Sequence, residues 1–515
     1  MRIVVIGHGM VGSRFAQDAA ARVPGAHVMV LGREDAEPYN RVLLSSVVAG
    51  KADPDGIALL APDTDAVDVR QGVAAVEIDR GRRLVTASDG SVHRYDRLVL
   101  ATGSAARVPQ IQHVANPDGL VPGVSVLKDL ADARGILAAL PKARRAVVLG
   151  AGVLGLEVAT GLAARGLAVT LVHHADRLME RQLGSSASQV AEGSLGRLGT
   201  TVVTQASVTR VVERRGRIVA VELSNGAEVL TDLLVMCAGT IPETALARRA
   251  GLPCERGIVV GTDLASPEDP HVFAIGDCAQ PPEGGTGLVA QGWDQAQRLV
   301  DAWAGAPGTA PAARDDAAGT DRTNVVRVKA SGLEVVTMGL SGKFEHGDRQ
   351  LRAVRISDPA VGRFVEVVVH EGLLVGATVV GDKATATELQ ALYTRGLPVP
   401  SDPAHLIVRP IPGAAPASRN AADMADADTV CQCNTVSKGR IKDAIADGCD
   451  SVEDVSRATR ACTGCGDCRS LVKEMLATAA GGTTKAPASA AGDSKVPALA
   501  GATDNRPALA GTREA

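Results

Sequence analysis

Two copies of one local pattern constrain this chain more than anything else in it. The small apolar run Ile3-Val-Val-Ile6 feeds directly into Gly7-His-Gly9-Met-Val-Gly12 and then into a helix-like stretch from Ser13 to Ala21. The same order returns downstream, where Ala146 to Leu149 leads into Gly150-Ala-Gly152-Val-Leu-Gly155 and an Ala/Leu-rich helix carrying Glu157. Glycines at this spacing permit a tight turn and close backbone approach, and the helix N-terminus behind them favours a pyrophosphate. The motif alone is weak, but each copy follows a strand. In the first, a second strand, His27 to Leu31, ends just before Glu34, the acid expected on an adenosine ribose. The implied fold class is α/β, with two Rossmann-like dinucleotide-binding domains.

Two further segments carry a resemblance. Tyr95-Asp-Arg-Leu98-Val-Leu-Ala-Thr102-Gly103 is an apolar strand ending in Thr-Gly, and Val272-Phe-Ala-Ile-Gly276-Asp277 delivers one carboxylate at a strand tip. With the first glycine turn they resemble the three FAD fingerprints of the two-dinucleotide-binding-domain flavoproteins, the pyridine nucleotide-disulfide oxidoreductase type, over residues 1 to about 400. The resemblance implies FAD on Gly7, Gly9, Gly12, Glu34, Thr102, Gly103, Gly276 and Asp277, with Asp277 on the ribityl chain; otherwise Asp277 is a plain turn residue. The second turn, Gly150, Gly152 and Gly155, is then inserted between FAD segments and takes NADH or NADPH. Its following strand, Val169 to Val172, ends at His173-His174 where an NAD-specific site has an acid, so His173 reads either as tolerating a 2′-phosphate or as a surface histidine. Glu157 matches a family position near the nicotinamide and is the candidate catalytic residue, against an ordinary helix carboxylate.

Near the other end, Cys431-Gln-Cys433 is followed after 31 residues by Cys465-Gly-Asp-Cys468, and six of the nine cysteines crowd between positions 431 and 468. Thiols paired this closely suit iron or zinc, and in a reducing compartment they favour metal ligation over disulfides. With Asn434, Val436 and Gly466 in place, the arrangement resembles the bacterioferritin-associated-ferredoxin-like [2Fe-2S] module. The resemblance implies Cys431, Cys433, Cys465 and Cys468 as ligands. Zinc is the competing metal, and Cys462-Thr-Gly-Cys465 is a competing pair of the same spacing; Cys449 is spare. Ser437 is placed to cap a helix through Ala446, and Ser451 with Asp454 to open another.

The flavoprotein part narrows the resemblance. Pro38-Tyr39-Asn-Arg41-Val-Leu-Leu44-Ser45, Arg177 to Leu183 and Gly287-Leu-Val-Ala290 are similar to the N-terminal half of NAD(P)H-dependent assimilatory nitrite reductases and to the electron-transfer subunits of assimilatory nitrate reductases. This implies Arg41 and Ser45 beside FAD. Ferredoxin reductases of similar fold carry a lysine where Ser46 stands, and the chain departs from them there. Complete nitrite reductases continue into a sirohaem and [4Fe-4S] domain needing C-x5-C and C-x3-C, whereas no cysteine follows Cys468. The expectation is therefore an assimilatory nitrate reductase electron-transfer subunit, passing electrons from NAD(P)H through FAD and [2Fe-2S] to a separate molybdenum-containing catalytic subunit. The alternatives are a separate sirohaem nitrite reductase or an amino-acid or opine dehydrogenase as partner, and an iron- or zinc-dependent redox-regulatory docking protein.

The remaining features bound these readings. A net charge of −4 without a basic stripe excludes a nucleic-acid partner, and apolar runs such as Leu98 to Ala101 are too short to cross a bilayer. Met1 leads almost at once into a strand, so no leader is expected and the protein is read as cytoplasmic. Cys237, Cys254 and Cys278 are isolated and read as small core residues; no close pair lies near the first helix, so flavin electrons must leave by another route. The expected layout is FAD-binding residues 1–112 and 244–304, an NAD(P)H-binding domain at 113–243, and a surface loop at 305–320. An α+β interface domain that packs and forms a homodimer follows at 321–410, then a flexible linker at 411–429, the [2Fe-2S] module at 430–479 and a disordered tail at 480–515.

Overall fold

The computed structural model describes residues 1–59, 65–305, 324–342, 350–408, 421–464 and 466–479. The expected loop from 306 onward, the expected linker as far as 420, Cys465 and the expected tail lie outside the described residues. Both glycine turns stand at the C-terminal tip of a central parallel strand. The first strand, β1 (Arg2–Ile6), pairs in parallel with β2 (His27–Gly32) on one side and with Arg97–Leu100 on the other. It belongs to a six-stranded sheet that also holds Val67–Gln71, Asp269–Ala274 and Ala265–Ser266. Ile3, Val4, Val5 and Ile6 are all buried, as a strand covered on both faces requires. Helix α1 (Met10–Arg22) covers one face, and its Phe15 meets Trp303 of the helix Val289–Trp303 edge-on at 5.6 Å.

The architecture then repeats. β3 (Arg145–Leu149) lies between β4 (Ala168–Val172) and Leu233–Met236 in a five-stranded parallel sheet completed by Val124–Val126 and Thr200–Val203. Each of these two units also carries a three-stranded antiparallel sheet, at 75–94 and at 208–230. Helix α2 (Leu44–Val48) of the first unit packs on α3 (Val153–Ala164) of the second; a Cβ at Gly161 would stand 2.8 Å from the Ala49 Cβ, so the two backbones approach closely.

The third unit is a five-stranded antiparallel sheet, in the order β5 (Val325–Lys329), Glu334–Gly339, Leu373–Val380, Arg363–His370, Arg352–Asp358. Phe364 to Val369 are buried without a break, because both faces of the sheet are covered. Val365, Val367 and Val379 pack on Leu389 and Tyr393 of α4 (Lys383–Arg395), while Phe364, Val380 and Val335 join the core around Val190 and Leu195 of the second unit.

The C-terminal module is three short helices, α5 (Lys438–Ala446), α6 (Val452–Thr459) and α7 (Arg469–Ala479), around Val436, Ile441, Val455, Val472 and Met475. Ser437 accepts from the Arg440 N–H and Ser451 from the Asp454 N–H, the two caps expected. Residues 421–429, which composition assigned to the linker, are part of this fold. Ala421 is buried with its N–H on Glu474, Lys438 Nζ donates to the carbonyls of Ala422 and Met424, and Thr429–Cys431 is a strand paired with Val436–Ser437. Ala and Asp content resembles a linker, but here those backbone groups are satisfied by the module's own side chains.

Candidate functional site

The first cradle is closed by steric necessity. Gly7 has φ +115°, and a Cβ on it would sit 2.2 Å from the Ala101 carbonyl oxygen; one on Gly12 would sit 2.1 Å from the Gly7 oxygen. Only glycine fits both places. A Cβ at Gly9 would meet nothing nearer than Arg41 Nε at 3.7 Å, so Arg41 lies over the turn.

From there a row of charged side chains runs along the cleft. Glu34, just past β2, accepts from the Tyr39 hydroxyl at 2.7 Å and from Arg41. Burial works to raise the Glu34 pKa, but the hydrogen bond and charge of Arg41, with Tyr39, outweigh it and hold the carboxyl below its ordinary value. The Arg41 guanidinium stacks on the Tyr39 ring at 4.8 Å and reaches the Lys128 carbonyl at 3.4 Å. Lys128 Nζ donates to Ser104 Oγ at 2.7 Å, Ser104 donates to Asp277 at 2.7 Å, and the Lys128 ammonium stands 3.6 Å from Asp277. Burial lowers the Lys128 pKa against the pull of Asp277. Thr102 Oγ1 donates to the Glu243 carbonyl at 2.7 Å and the Gly103 carbonyl accepts from the Glu243 N–H at 2.9 Å, while the Gly276 N–H donates to Gln295 at 2.7 Å. The sequence-expected residues Glu34, Arg41, Thr102, Gly103, Gly276 and Asp277 thus gather in one neighbourhood beside the first turn. Lys128 and Ser104 were missed: nothing in their sequence surroundings marks them, and only the fold brings them to Asp277.

The second cradle repeats the first. Gly150 has φ +107° with its virtual Cβ 2.4 Å from the Cys237 carbonyl oxygen, and a Cβ on Gly155 would lie 1.7 Å from the Gly150 oxygen. Gly152 is the N-cap of α3. His173 is not a surface residue: it is 4% exposed, its Nδ1 accepts from the Ala151 N–H of the turn at 3.2 Å, and Nε2 faces Glu180 at 2.9 Å. With Nδ1 accepting, the ring proton sits on Nε2 and donates to Glu180. His173 therefore braces the turn from behind, and the exposed neighbour is His174.

Glu157, on α3, is 4% exposed and joins three parts of the chain. Ser45 Oγ of α2 donates to one oxygen at 2.5 Å, the Lys329 N–H donates to the other at 2.8 Å, and the Lys329 ammonium is 3.5 Å away. Ser45 and Glu157 were both expected near the cofactors, and the structure brings them into contact. Lys329 was missed because a lysine at the end of an apolar strand reads as a solvent-facing residue. Cys237, close by, is pushed up to about 12 by burial and then by the Glu157 charge, and burial raises Cys278 too, so both thiols stay protonated.

In the C-terminal module Cys431, Cys433 and Cys468 come together. The Cys431 sulfur is held low by hydrogen bonds from the Cys433 and Cys468 thiols, with the Cys462 and Asn434 N–H groups adding to it, while Cys468 is raised by the same contact with Cys431 and by Cys462, so within this pair the proton stays on Cys468. Cys462 is drawn in as well: its N–H donates to Cys468 Sγ at 3.3 Å and the two sulfurs are 3.5 Å apart. Cys449 packs in the module core. Among the described residues no three Cys, His, Asp or Glu side chains are arranged as a metal site; Cys465 lies outside them. Also among the described residues, no helix is long and apolar enough to cross a membrane.

Comparison with known proteins agrees with this geometry. The family model described as pyridine nucleotide-disulphide oxidoreductase matches residues 1–317, and that of the BFD-like [2Fe-2S] binding domain matches residues 429–478. The chain is 31% identical to the NAD(P)H nitrite reductase of Bacillus subtilis over 92% of its own length and 57% of that protein's. It is 29% identical to the assimilatory nitrate reductase electron transfer subunit of the same organism, over 95% of its length and 61% of that protein's. It thus spans less than two thirds of either relative. Among solved structures, a ferredoxin reductase from Rhodopseudomonas palustris superposes with a TM-score of 0.66 at 25% identity, over 77% of this chain and 95% of that one. With one family model spanning more than half of its length and both nucleotide cradles built as that family requires, the chain belongs to the pyridine nucleotide-disulphide oxidoreductases, with FAD, NAD(P)H and a C-terminal [2Fe-2S] cluster as its cofactors.

Proposed function

We propose that the chain is the NAD(P)H-oxidising electron-transfer subunit of an assimilatory nitrate reductase, working in the order NAD(P)H, FAD, [2Fe-2S], and then a separate molybdenum-containing catalytic subunit. The observation that carries this reading is the location of the thiols: among the described residues they gather in the C-terminal module, while part-buried Cys237 and buried Cys278 near the cradles are isolated. Electrons collected between two nucleotide sites then have one evident exit.

The residues fit the groups. A Cβ at Gly7, Gly12, Gly150 or Gly155 would strike a carbonyl oxygen, and a glycine turn this tight at a helix N-terminus suits a pyrophosphate. In the first, Gly7, Gly9 and Gly12 with Arg41 hold the FAD pyrophosphate, Glu34 accepts from the adenosine ribose, and Asp277 takes the ribityl hydroxyls. Thr102, Gly103 and Gly276 supply the backbone between. Arg41 and Tyr39 keep Glu34 ionised and aimed, so the ribose meets a fixed acceptor. Gly150, Gly152 and Gly155 hold the NAD(P)H pyrophosphate. Glu157, fixed by Ser45 and Lys329, sets the joint between the two nucleotide sites. Cys431, Cys433, Cys465 and Cys468 ligate the cluster. When bound, FAD supplies hydride acceptance and the cluster supplies single-electron transfer.

Several relatives support the nitrogen-assimilation assignment by name, and the nitrite reductase among them favours a second reading in which the partner is a separate sirohaem subunit. A homodimer formed through the third sheet would use an edge strand such as Arg352–Asp358, since the faces of that sheet are packed within the chain. The test is an anaerobic titration with NADH and then NADPH, followed by absorbance and electron paramagnetic resonance. A reduced [2Fe-2S] signal growing in step with flavin bleaching is expected. Flavin bleaching without that signal, in protein shown to contain iron, overturns the relay.

A further inference from the structure

The cysteine module does not stand apart from the flavoprotein body. It is seated on the first cradle, with its thiol loop facing inward. The Asn40 amide donates to the Thr463 carbonyl at 3.1 Å and to the Gly464 carbonyl at 2.5 Å, and Asn40 is 4% exposed. The same side chain caps the turn holding Arg41, accepting from the Val42 N–H at 3.1 Å. One short segment therefore presents Arg41 to the FAD-side cleft and Asn40 to the loop leading into Cys465. The loop itself is tightly fitted, since a Cβ on Gly464 would lie 2.6 Å from Cys433 Sγ.

A second set of contacts comes from α1, the helix behind the glycine turn. Arg14 Nη1 donates to Asn434 Oδ1 at 3.2 Å, and the Asn434 amide donates in turn to the Arg460 carbonyl at 2.9 Å and to Cys431 Sγ at 3.8 Å. Arg460 pairs with Asp18, one turn along α1 from Arg14. Arg14 lies over the Trp293 ring at 4.7 Å and its side chain is only 20% exposed. Arg14 also stands 3.8 Å from Asp18, so this one carboxylate, its side chain 11% exposed, faces a guanidinium of its own helix and the Arg460 guanidinium of the module; a carboxylate this dehydrated needs such partners, which makes the contact a specific one. On the far side Arg395 donates to Thr429 at 3.0 Å, which grips the module from the third domain.

We propose that this seated arrangement is the state in which electrons pass from flavin to cluster, that Asn40 is the positioning residue at the crossing, and that the Asp18–Arg460 pair with Arg14–Asn434 is the latch that holds it. The inference rests on the relay order proposed above. Each NAD(P)H oxidised releases one proton and sends two electrons across singly, each reoxidising the reduced flavin by one electron and reducing one oxidised cluster, which an added one-electron acceptor such as ferricyanide then clears. The module collects electrons without leaving the body.

The experiment uses the iron-loaded, FAD-loaded full chain. Arg460→Glu should slow NADH-driven cluster reduction, read by stopped-flow absorbance, at least tenfold, with iron content and the rate of flavin bleaching unchanged. Solution X-ray scattering should show the variant to be more extended. Restoring the pair with opposite polarity, Asp18→Arg with Arg460→Asp, should recover both the rate and the compact shape, which damage to the module would not. Asn40→Asp, which keeps the cap but sets a carboxylate against two carbonyls, should slow cluster reduction without loss of FAD. If Arg460→Glu reduces its cluster as fast as the parent, or is extended yet undiminished in rate, the latch is refuted. If the parent's cluster is never reduced by NADH, the relay itself has failed.

Discussion

The junction of Glu157, Ser45 and Lys329 predicts an unusual ordering of variants. Lys329→Met leaves a carboxylate that is 4% exposed with two hydrogen bonds but no counter-charge. Glu157→Gln instead leaves an ammonium on a side chain 17% exposed, which can turn toward water, and the glutamine oxygen still accepts from Ser45 or the Lys329 N–H. At the 3.5 Å separation, Coulomb attraction in an effective dielectric of about 20 is about 5 kcal/mol. Water at the lysine end screens it, and breaking one side of a buried pair costs about 3–5 kcal/mol. We therefore expect Lys329→Met to lower local stability by about 3 kcal/mol and Glu157→Gln by about 1 kcal/mol. The double variant should be better than Lys329→Met alone, because no uncompensated charge is left inside. The assay is amide hydrogen exchange of the Lys329 N–H, which opens locally with this joint; about 3 kcal/mol corresponds to roughly a hundredfold faster exchange. Purely additive effects, or a double variant worse than Lys329→Met, would refute the idea that charge pairing holds the three parts together.

Gly464→Ala places a methyl group where 2.6 Å separates it from Cys433 Sγ, so the protein should purify with FAD but with little iron, measured by iron analysis against flavin absorbance. Cys431→Ser should abolish the cluster signal while NADH-driven reduction of a small dye stays within about twofold, since hydride acceptance is the flavin's and the substitution changes no residue of either cradle; loss of dye reduction with FAD retained would contradict the relay order. Asp277→Ala removes the partner of Ser104 and Lys128 and should weaken FAD retention on dilution by about tenfold, one lost charged hydrogen bond; an unchanged flavin content would remove its assigned role.

The parts of this protein written in contiguous residues were legible before any fold was known. Strand, glycine turn and helix are local events: the tip of β1, the φ of Gly7 and the close approach at Gly12 follow from a few adjacent residues, and so do the caps at Ser437 and Ser451. Cysteine spacing likewise announced a metal module. Composition misled where it stood in for contacts, as at 421–429, whose backbone groups are satisfied by Glu474 and Lys438. What only the tertiary structure decided are the pairings between distant segments. Lys128 reaches Asp277, Lys329 reaches Glu157, His173 turns inward to the Ala151 N–H, and Asn40 reaches the loop at Gly464. None of these has a periodicity or spacing to betray it, because each depends on two elements being brought together by packing of the cores between them. Local sequence marks where nucleotides and a metal can be held; long-range packing determines which side chains bridge those places.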